Sequence, residues 1–225
     1  MQEIVHMQIT KEVWQVGGDR LTAPEDAAIY MVCFEEQAAL IDAGTGKGHK
    51  RLISNIEKCA VNASQIEYLF LTHCHFDHAG GAQKVRDECN CKIVAHELDA
   101  VYLEEGDGNV TAARWYGSVL EPLTMDCRIT SFEESFLVGS RKITSFHTPG
   151  HSPGSVVYLV KSEGKKILFG QDVHGPLDPS LLSNREDYIK SLKFLLSLKI
   201  DILCEGHFGV FEGKRDIQSF ITSFL

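Results

Sequence analysis

The segment Thr72-His73-Cys74-His75-Phe76-Asp77-His78 follows directly on the apolar run Tyr68-Leu69-Phe70-Leu71. It packs three imidazoles and a carboxylate into the six positions from His73 to His78. Buried histidines need partners, and three of them together repel one another on protonation, so a purely structural version of this segment costs stability without return. Imidazole and carboxylate together suit divalent zinc, iron or manganese. In an extended turn His73 and His75 point the same way, while Asp77 and His78 can reach a second centre, so one short segment can serve two metals. A fold that carries it must hold the end of the preceding strand rigidly.

Three further candidate ligands share that context. His151 follows the apolar run 142–146, Asp172 follows Ile167-Leu168-Phe169-Gly170, and His207 follows Ile202-Leu203-Cys204-Glu205-Gly206. Each lies just past a strand's carboxyl end, the edge at which α/β proteins place their sites. Short apolar runs recur over 29–34, 38–41, 66–71, 92–95, 142–146, 155–160, 166–169 and 201–204, and read as strands. Helical patterns lie between some of them. In the clearest, 184–198, Asn184 is the N-cap, Glu186 and Asp187 occupy the first turn, and Tyr188, Leu192, Leu195 and Leu196 form one face. Residues 214–225 and 47–59 repeat that pattern. The stretch 97–125 is the least strand-like, and the pattern predicts a helical insert there, with Arg114, Trp115 and Tyr116 as candidate substrate contacts. Nothing in the chain marks a linker, so residues 1–225 are expected to form one domain.

Composition narrows the partners. The 31 acidic against 22 basic side chains give a net charge of −9, which disfavours nucleic acid. No apolar run is long enough to span a bilayer. The seven cysteines are an odd number, scattered along a chain that needs no cross-links, and they read as reduced thiols. Cys89 and Cys91, two apart, read the same way, at a helix end. The opening residues 1–6 lack a basic and an apolar region, so the expected compartment is the cytoplasm. Gly150-His151-Ser152-Pro153-Gly154 satisfies the G-x-S-x-G pattern of serine hydrolases, but Pro153 has no N–H for an oxyanion hole, and the residues that follow read as strand, not helix.

With these residues in hand, the chain resembles the metallo-β-lactamase-fold superfamily of metallohydrolases across residues 28–210. The resemblance rests, in order, on Leu40-Ile41-Asp42-Ala43-Gly44, the His73 to His78 segment, His151, Asp172 and His207. It implies an α/β (α+β) chain folded as a four-layer αββα sandwich, with the metal site at one edge between the two sheets. It also implies that His73, His75 and His151 bind one metal ion, that Asp77, His78 and His207 bind a second, and that Asp172 bridges both. Zinc is the favoured ion, with iron or manganese as alternatives. Asp42, His174 and His147 are candidates for supporting hydrogen bonds around the ligands.

Among members of such a superfamily, the motif set is similar to hydroxyacylglutathione hydrolases and lactonases. The expected activity is hydrolysis of a small thioester or lactone by a hydroxide bridging two metals, with Asp77 as ligand and catalytic group. Only the eighteen residues after His207 remain where the former enzymes carry a glutathione-binding domain, so a generic thioester or lactone is the expected substrate. Aspartate at position 172 argues against a true β-lactamase, His75 against a flavodiiron oxygen reductase, and the acidic charge against a nuclease. Two other classes use the same residues: a persulfide dioxygenase with one iron on His73, His151 and Asp172, and a metal-bound scaffold without catalysis.

Overall fold

The computed structural model describes residues 7–225. The residues on which the leader argument rests, 1–6, lie outside the described residues. The first half of the chain builds one sheet: β1 (Met7–Thr10), β2 (Val13–Gly17), β3 (Ile29–Phe34) and β4 (Gln37–Ile41) run antiparallel, and the chain then crosses through helix α1 (His49–Lys58) to β5 (Ile66–Phe70). Helices α2 (Phe76–Ala79) and α3 (Ala82–Cys89) lead to β6 (Lys92–His96), and α4 (Glu97–Glu105) leads to β7 (Cys127–Ile129). The pairings β4–β5, β5–β6 and β6–β7 are parallel. Parallel neighbours need long crossovers, which these helices supply.

The second sheet begins with three antiparallel strands, β8 (Glu133–Val138), β9 (Arg141–His147) and β10 (Val156–Ser162), and continues into β11 (Lys165–Gln171). Helix α5 (Arg185–Ser197) crosses to β12 (Ile202–Glu205), which is parallel to β11, and the chain closes with β13 (Gly209–Glu212) and α6 (Lys214–Thr222). Among the described residues the strand orders are β1-β2-β3-β4-β5-β6-β7 and β13-β12-β11-β10-β9-β8.

Burial explains the layering. Tyr30, Val32, Ile41, Phe70 and Val94 of the first sheet meet Ile143, Tyr158, Val160, Ile167 and Phe169 of the second in a core between the sheets. Leu52 and Ile56 of α1 and Val85 of α3 cover the outer face of the first sheet. Tyr188, Leu192 and Leu195 of α5, with Ile217 and Ile221 of α6, cover that of the second. The stripes on α1, α5 and α6 are those read from the sequence, the one on α3 was not, and the result is the αββα sandwich. Asn184 caps α5 as its sequence suggests, its Oδ1 accepting from the backbone N–H groups of Glu186 (2.9 Å) and Asp187 (3.1 Å).

The 97–125 stretch departs from the helical expectation. Helix covers only Glu97–Glu105, followed by a 3-10 turn at Ala113–Tyr116 and extended chain. Gly106 at φ +65° ends α4, and Asp107 then turns the chain, its Oδ1 accepting from the N–H groups of Asn109 and Val110.

Two tyrosines fasten strand ends across the sheet interface. The Tyr158 hydroxyl donates to the carbonyl of Leu71 (2.8 Å), and the Tyr30 hydroxyl donates to that of Glu205 (2.8 Å). The ends of β5 and β12, from which His73 and His207 emerge, are therefore held by the core itself.

Candidate metal centre

The strand ends of β5, β9, β11 and β12 converge at one edge between the sheets, where their loops bring together His73, His75, Asp77, His78, His151, Asp172 and His207. Ligand atoms of His73, His75, His151 and Asp172 lie within 4.8 Å of one another, as do those of Asp77, His78 and His207. The two oxygens of Asp172 face opposite sets. Oδ2 lies 3.2 Å from His151 Nε2 and 3.9 Å from His73 Nε2, whereas Oδ1 lies 3.2 Å from His78 Nε2 and 3.3 Å from His207 Nε2. His207 Nε2 is also 3.3 Å from Asp77 Oδ2. A tetrahedral ion with bonds of about 2.0–2.1 Å keeps its donor atoms about 3.3 Å apart.

The hydrogen bonds on the far side of each ring fix which nitrogen is bare. Thr72 Oγ1 donates its only proton to Asp42 Oδ2 (2.8 Å), so it accepts from His73 Nδ1 at 3.0 Å. His78 Nδ1 donates to Asp42 (2.7 Å), and His151 Nδ1 donates to the carbonyl of Pro176 (2.8 Å). In the neutral form of each ring the lone pair is thereby left on Nε2, the tautomer a metal-ligating histidine requires. Buried Nε2 atoms of His73, His75, His78 and His151, with Asp172 Oδ1, make no hydrogen bond within the protein. Such a concentration of unsatisfied buried polar atoms has no structural rationale, and a cation at their common focus supplies one. The donor set fits divalent metal.

Electrostatics follow the same division. Burial, then the neighbouring imidazoles, pushes His73 well below its usual pKa, and burial, then His151, lowers His75 to about 3, so both rings are neutral. Burial opposes charge on His78 too, yet Asp172, Asp77 and Asp42 outweigh it and hold the ring high. Partial burial opposes charge on His207, but the nearby carboxylates of Asp172 and Asp77 outweigh it and raise the ring to about 10. Asp172 is buried as well, and His78, His151 and His207 hold its carboxyl well below the usual range. This is an anionic centre that demands positive charge.

The supporting candidates separate. Asp42, wholly buried, accepts from Thr72 N–H (2.8 Å) as well as from the Thr72 hydroxyl and His78. His174 Nδ1 pairs with Glu205 Oε1 (2.7 Å), and its ring borders the cavity over the cluster. His147 does not border that cavity. It bonds through Nε2 to the carbonyl of Pro153 (2.9 Å) and stacks on His96 at 3.8 Å, steadying the turn before and around His151. Ser152, of the G-x-S-x-G pattern, donates to Asp99 (2.6 Å) and meets no imidazole in its hydrogen bonds.

A cavity of about 150 Å³ lies over the cluster, walled by Trp115, Tyr116, Pro176 and Leu181. Trp115 is 57% exposed, so it is a wall of the site and not a packed core aromatic. Arg114 does not reach this cavity; its aliphatic stem packs over Gly108.

Two residues escaped the sequence reading. Asp99, wholly buried in the first turn of α4, accepts from Cys74 N–H (2.9 Å), Ser152 Oγ (2.6 Å) and Gly154 N–H (2.6 Å), tying the His73–His78 loop to the His151 loop. Glu205 gives Oε1 to His174 and Oε2 to the backbone N–H groups of His207 (2.8 Å) and Phe208 (2.9 Å). The only sequence signals were an acid near a helix start and an acid at a strand end.

A four-layer sandwich with an imidazole and carboxylate cluster at the edge between its sheets defines a metallohydrolase fold. The model of the metallo-beta-lactamase superfamily matches residues 23–207, and the chain belongs to that superfamily. It is similar to acyl-coenzyme A thioesterase MBLAC2 of Gallus gallus, 29% identical over 168 residues, covering 64% of this chain. The match spans 57% of the chicken protein's own length. It is also similar to the protein of the same name from Homo sapiens, 27% identical over 220 residues, covering 84% of this chain and 75% of that one. A solved variant of a metallo-beta-lactamase from Cronobacter sakazakii superimposes with a TM-score of 0.82 at 22% identity, over 97% of this chain and 93% of that one, which shows the shared fold. Among the described residues no helix is long and apolar enough to cross a membrane.

Proposed function

We infer that this chain is a dinuclear metallohydrolase that cleaves a small acyl substrate, a thioester or a lactone. The observation that carries the reading is the division of Asp172 between two donor sets, one oxygen toward His73 and His151 and the other toward His78 and His207. On this reading His73, His75 and His151 hold one ion, Asp77, His78 and His207 hold the other, and Asp172 serves both. Zinc is the first choice of ion, with iron or manganese as alternatives. When bound, two such ions would polarise an acyl carbonyl and bring the pKa of a water toward about 7.

The chain's own groups then have definite tasks. Asp77 is buried, but His78 and His207 keep its carboxyl below the usual value, so it is an anion able to accept a hydrogen bond from the attacking water. Burial, then the charge on Asp77, raises Tyr116, so its hydroxyl stays protonated beside Asp77 at the wall. Asp42 holds the His78 ring in its ligating tautomer, and Glu205 fixes the backbone at His207. Trp115 and Leu181 shelter the acyl group from solvent. The names of the two relatives support a thioester over other acyl substrates. Seven free cysteines fit a reducing, cytoplasmic setting.

The mononuclear-iron persulfide dioxygenase reading has one observation in its favour, that His73, His151 and Asp172 lie in a single set. One experiment separates the two. Zinc-loaded protein is expected to hydrolyse members of a thioester and lactone panel, to lose that activity to a chelator and to regain it with zinc. Persulfide-dependent oxygen uptake by iron-loaded protein, with no hydrolysis by the zinc form, would overturn the reading.

A further inference from the structure

Beside the cavity over the cluster runs a second, larger cleft of about 660 Å³, and Tyr116 and His207 border both. The cleft adjoins the cluster through these two shared residues and is of a size that takes a small organic molecule. Leu21, Pro24, Ala28 and Phe208 give it apolar walls. Phe208 is 59% exposed, with its ring 4.8 Å from that of His174, so an open aromatic ring stands beside a residue that borders the cavity over the cluster.

Its charges are of the wrong kind for phosphate. Arg20 is the one lysine or arginine that borders either space among the described residues, and it is exposed, with Nε 3.8 Å from Asp19 Oδ2. Glu25 pairs with Lys47 at 2.9 Å. Asp26 spends its carboxylate inside the protein, on Thr22 Oγ1 (2.6 Å) and on the N–H (2.8 Å) and hydroxyl (2.6 Å) of Thr45. Sites that recognise phosphates bring free guanidinium, ammonium or clustered backbone N–H groups to them. Here one exposed arginine stands among Asp19, Glu25 and Asp26, in a chain of net charge −9.

We propose that this cleft holds an uncharged, apolar arm of the substrate, so that the site selects neutral long-chain thioesters or lactones over nucleotide thioesters such as those of coenzyme A. The proposal rests on the hydrolase reading for the scissile bond, but the cleft's preference is a matter of binding and can be measured without turnover. Each methylene of the arm that is half to fully buried should tighten binding about two- to fourfold. The phosphates of coenzyme A would meet a single exposed arginine and pass the carboxylates of Asp19 and Glu25, a net penalty that salt screens.

The test titrates the zinc-loaded full chain with non-hydrolysable thioethers, by calorimetry at low and at physiological salt. The probes are the decyl and ethyl thioethers of N-acetylcysteamine and the decyl thioether of coenzyme A. The neutral decyl compound is expected to bind at least about tenfold tighter than the ethyl one, independently of salt. The coenzyme A compound is expected to bind more weakly than its neutral counterpart at low salt and to approach it as salt rises. Phe208→Ala should weaken the neutral decyl compound and leave the ethyl one unchanged, and Asp19→Lys should improve only the coenzyme A compound. Tighter binding of the coenzyme A compound at low salt, or no preference for decyl over ethyl, overturns the proposal. Hydrolysis of the octanoyl thioester of N-acetylcysteamine is followed separately. Chain-length selectivity without hydrolysis would sink the hydrolase reading and leave the cleft assignment standing, whereas hydrolysis without selectivity would do the reverse.

Discussion

Replacing Asp99 by alanine tests whether the two ligand loops are held by one buried carboxylate. The carboxylate accepts three hydrogen bonds, from Cys74 N–H, Ser152 Oγ and Gly154 N–H. After truncation Ser152 keeps Ser155 Oγ at 2.8 Å, but the two backbone N–H groups lose the partner seen here. A buried unsatisfied donor costs about 1–3 kcal/mol, so the two together cost about 2–6 kcal/mol. Part of that is returned, because burial holds the Asp99 carboxyl above its usual pKa and removing it relieves the desolvation of a charge. The net expectation is a loss of about 2–4 kcal/mol, which in a chain of this size lowers Tm by roughly 4–16 °C. Cys74 lies between His73 and His75, and Gly154 lies three residues past His151, so loosening both should also weaken metal binding about 10- to 100-fold. Urea unfolding and competition with a zinc indicator read the two effects. A loss under about 1 kcal/mol with unchanged zinc affinity would refute the positioning role.

Three other outcomes are expected. Asp77→Asn should lower kcat by about 10²- to 10⁴-fold with little change in KM; an unchanged kcat with the metals retained removes Asp77 from the mechanism. Burial, then His147, lowers His96 to about 4, so the stability it contributes is complete above its unfolded value near 6.5 and is lost as pH falls toward about 4. Between pH 7 and pH 5 the full shift corresponds to about 2 kcal/mol, or about 1 kcal/mol after solvent screening. His96→Asn, which keeps a helix-capping acceptor, should flatten that acid limb in urea titrations, and an identical pH profile would contradict the assignment. Trp115→Ala should change the ranking of acyl-chain lengths in hydrolysis, and an unaltered ranking would take Trp115 out of substrate binding.

The site was legible where residue chemistry is unusual and the fold where burial imposes a pattern. Strands β3 to β6 and β9 to β12 are apolar runs because neighbours cover them, and their carboxyl ends carry His73, His151, Asp172 and His207. The strands β1, β2, β7, β8 and β13 were not visible. Glu133–Val138 alternates between exposed and half-buried positions before Val138, and its strand conformation comes from pairing with β9. The helical expectation over 97–125 held only for Glu97–Glu105, because Gly106 and Gly117 both take positive φ, which breaks the rest into turns. Arg114 and His147 were singled out by closeness in sequence to other candidates, and proximity along the chain does not fix which way a side chain leaves a turn. Asp99 stayed hidden because an acid in a helix's first turn is already explained by the helix dipole. Its second task exists only once two distant loops fold against it.

The central claim, two ions held on either side of Asp172, is tested most directly by counting metal. Inductively coupled plasma mass spectrometry of the protein purified without chelator should find two divalent ions per chain, falling to one or fewer in Asp172→Ala. One iron per chain with no second metal, or no metal at all after zinc reconstitution, would contradict it.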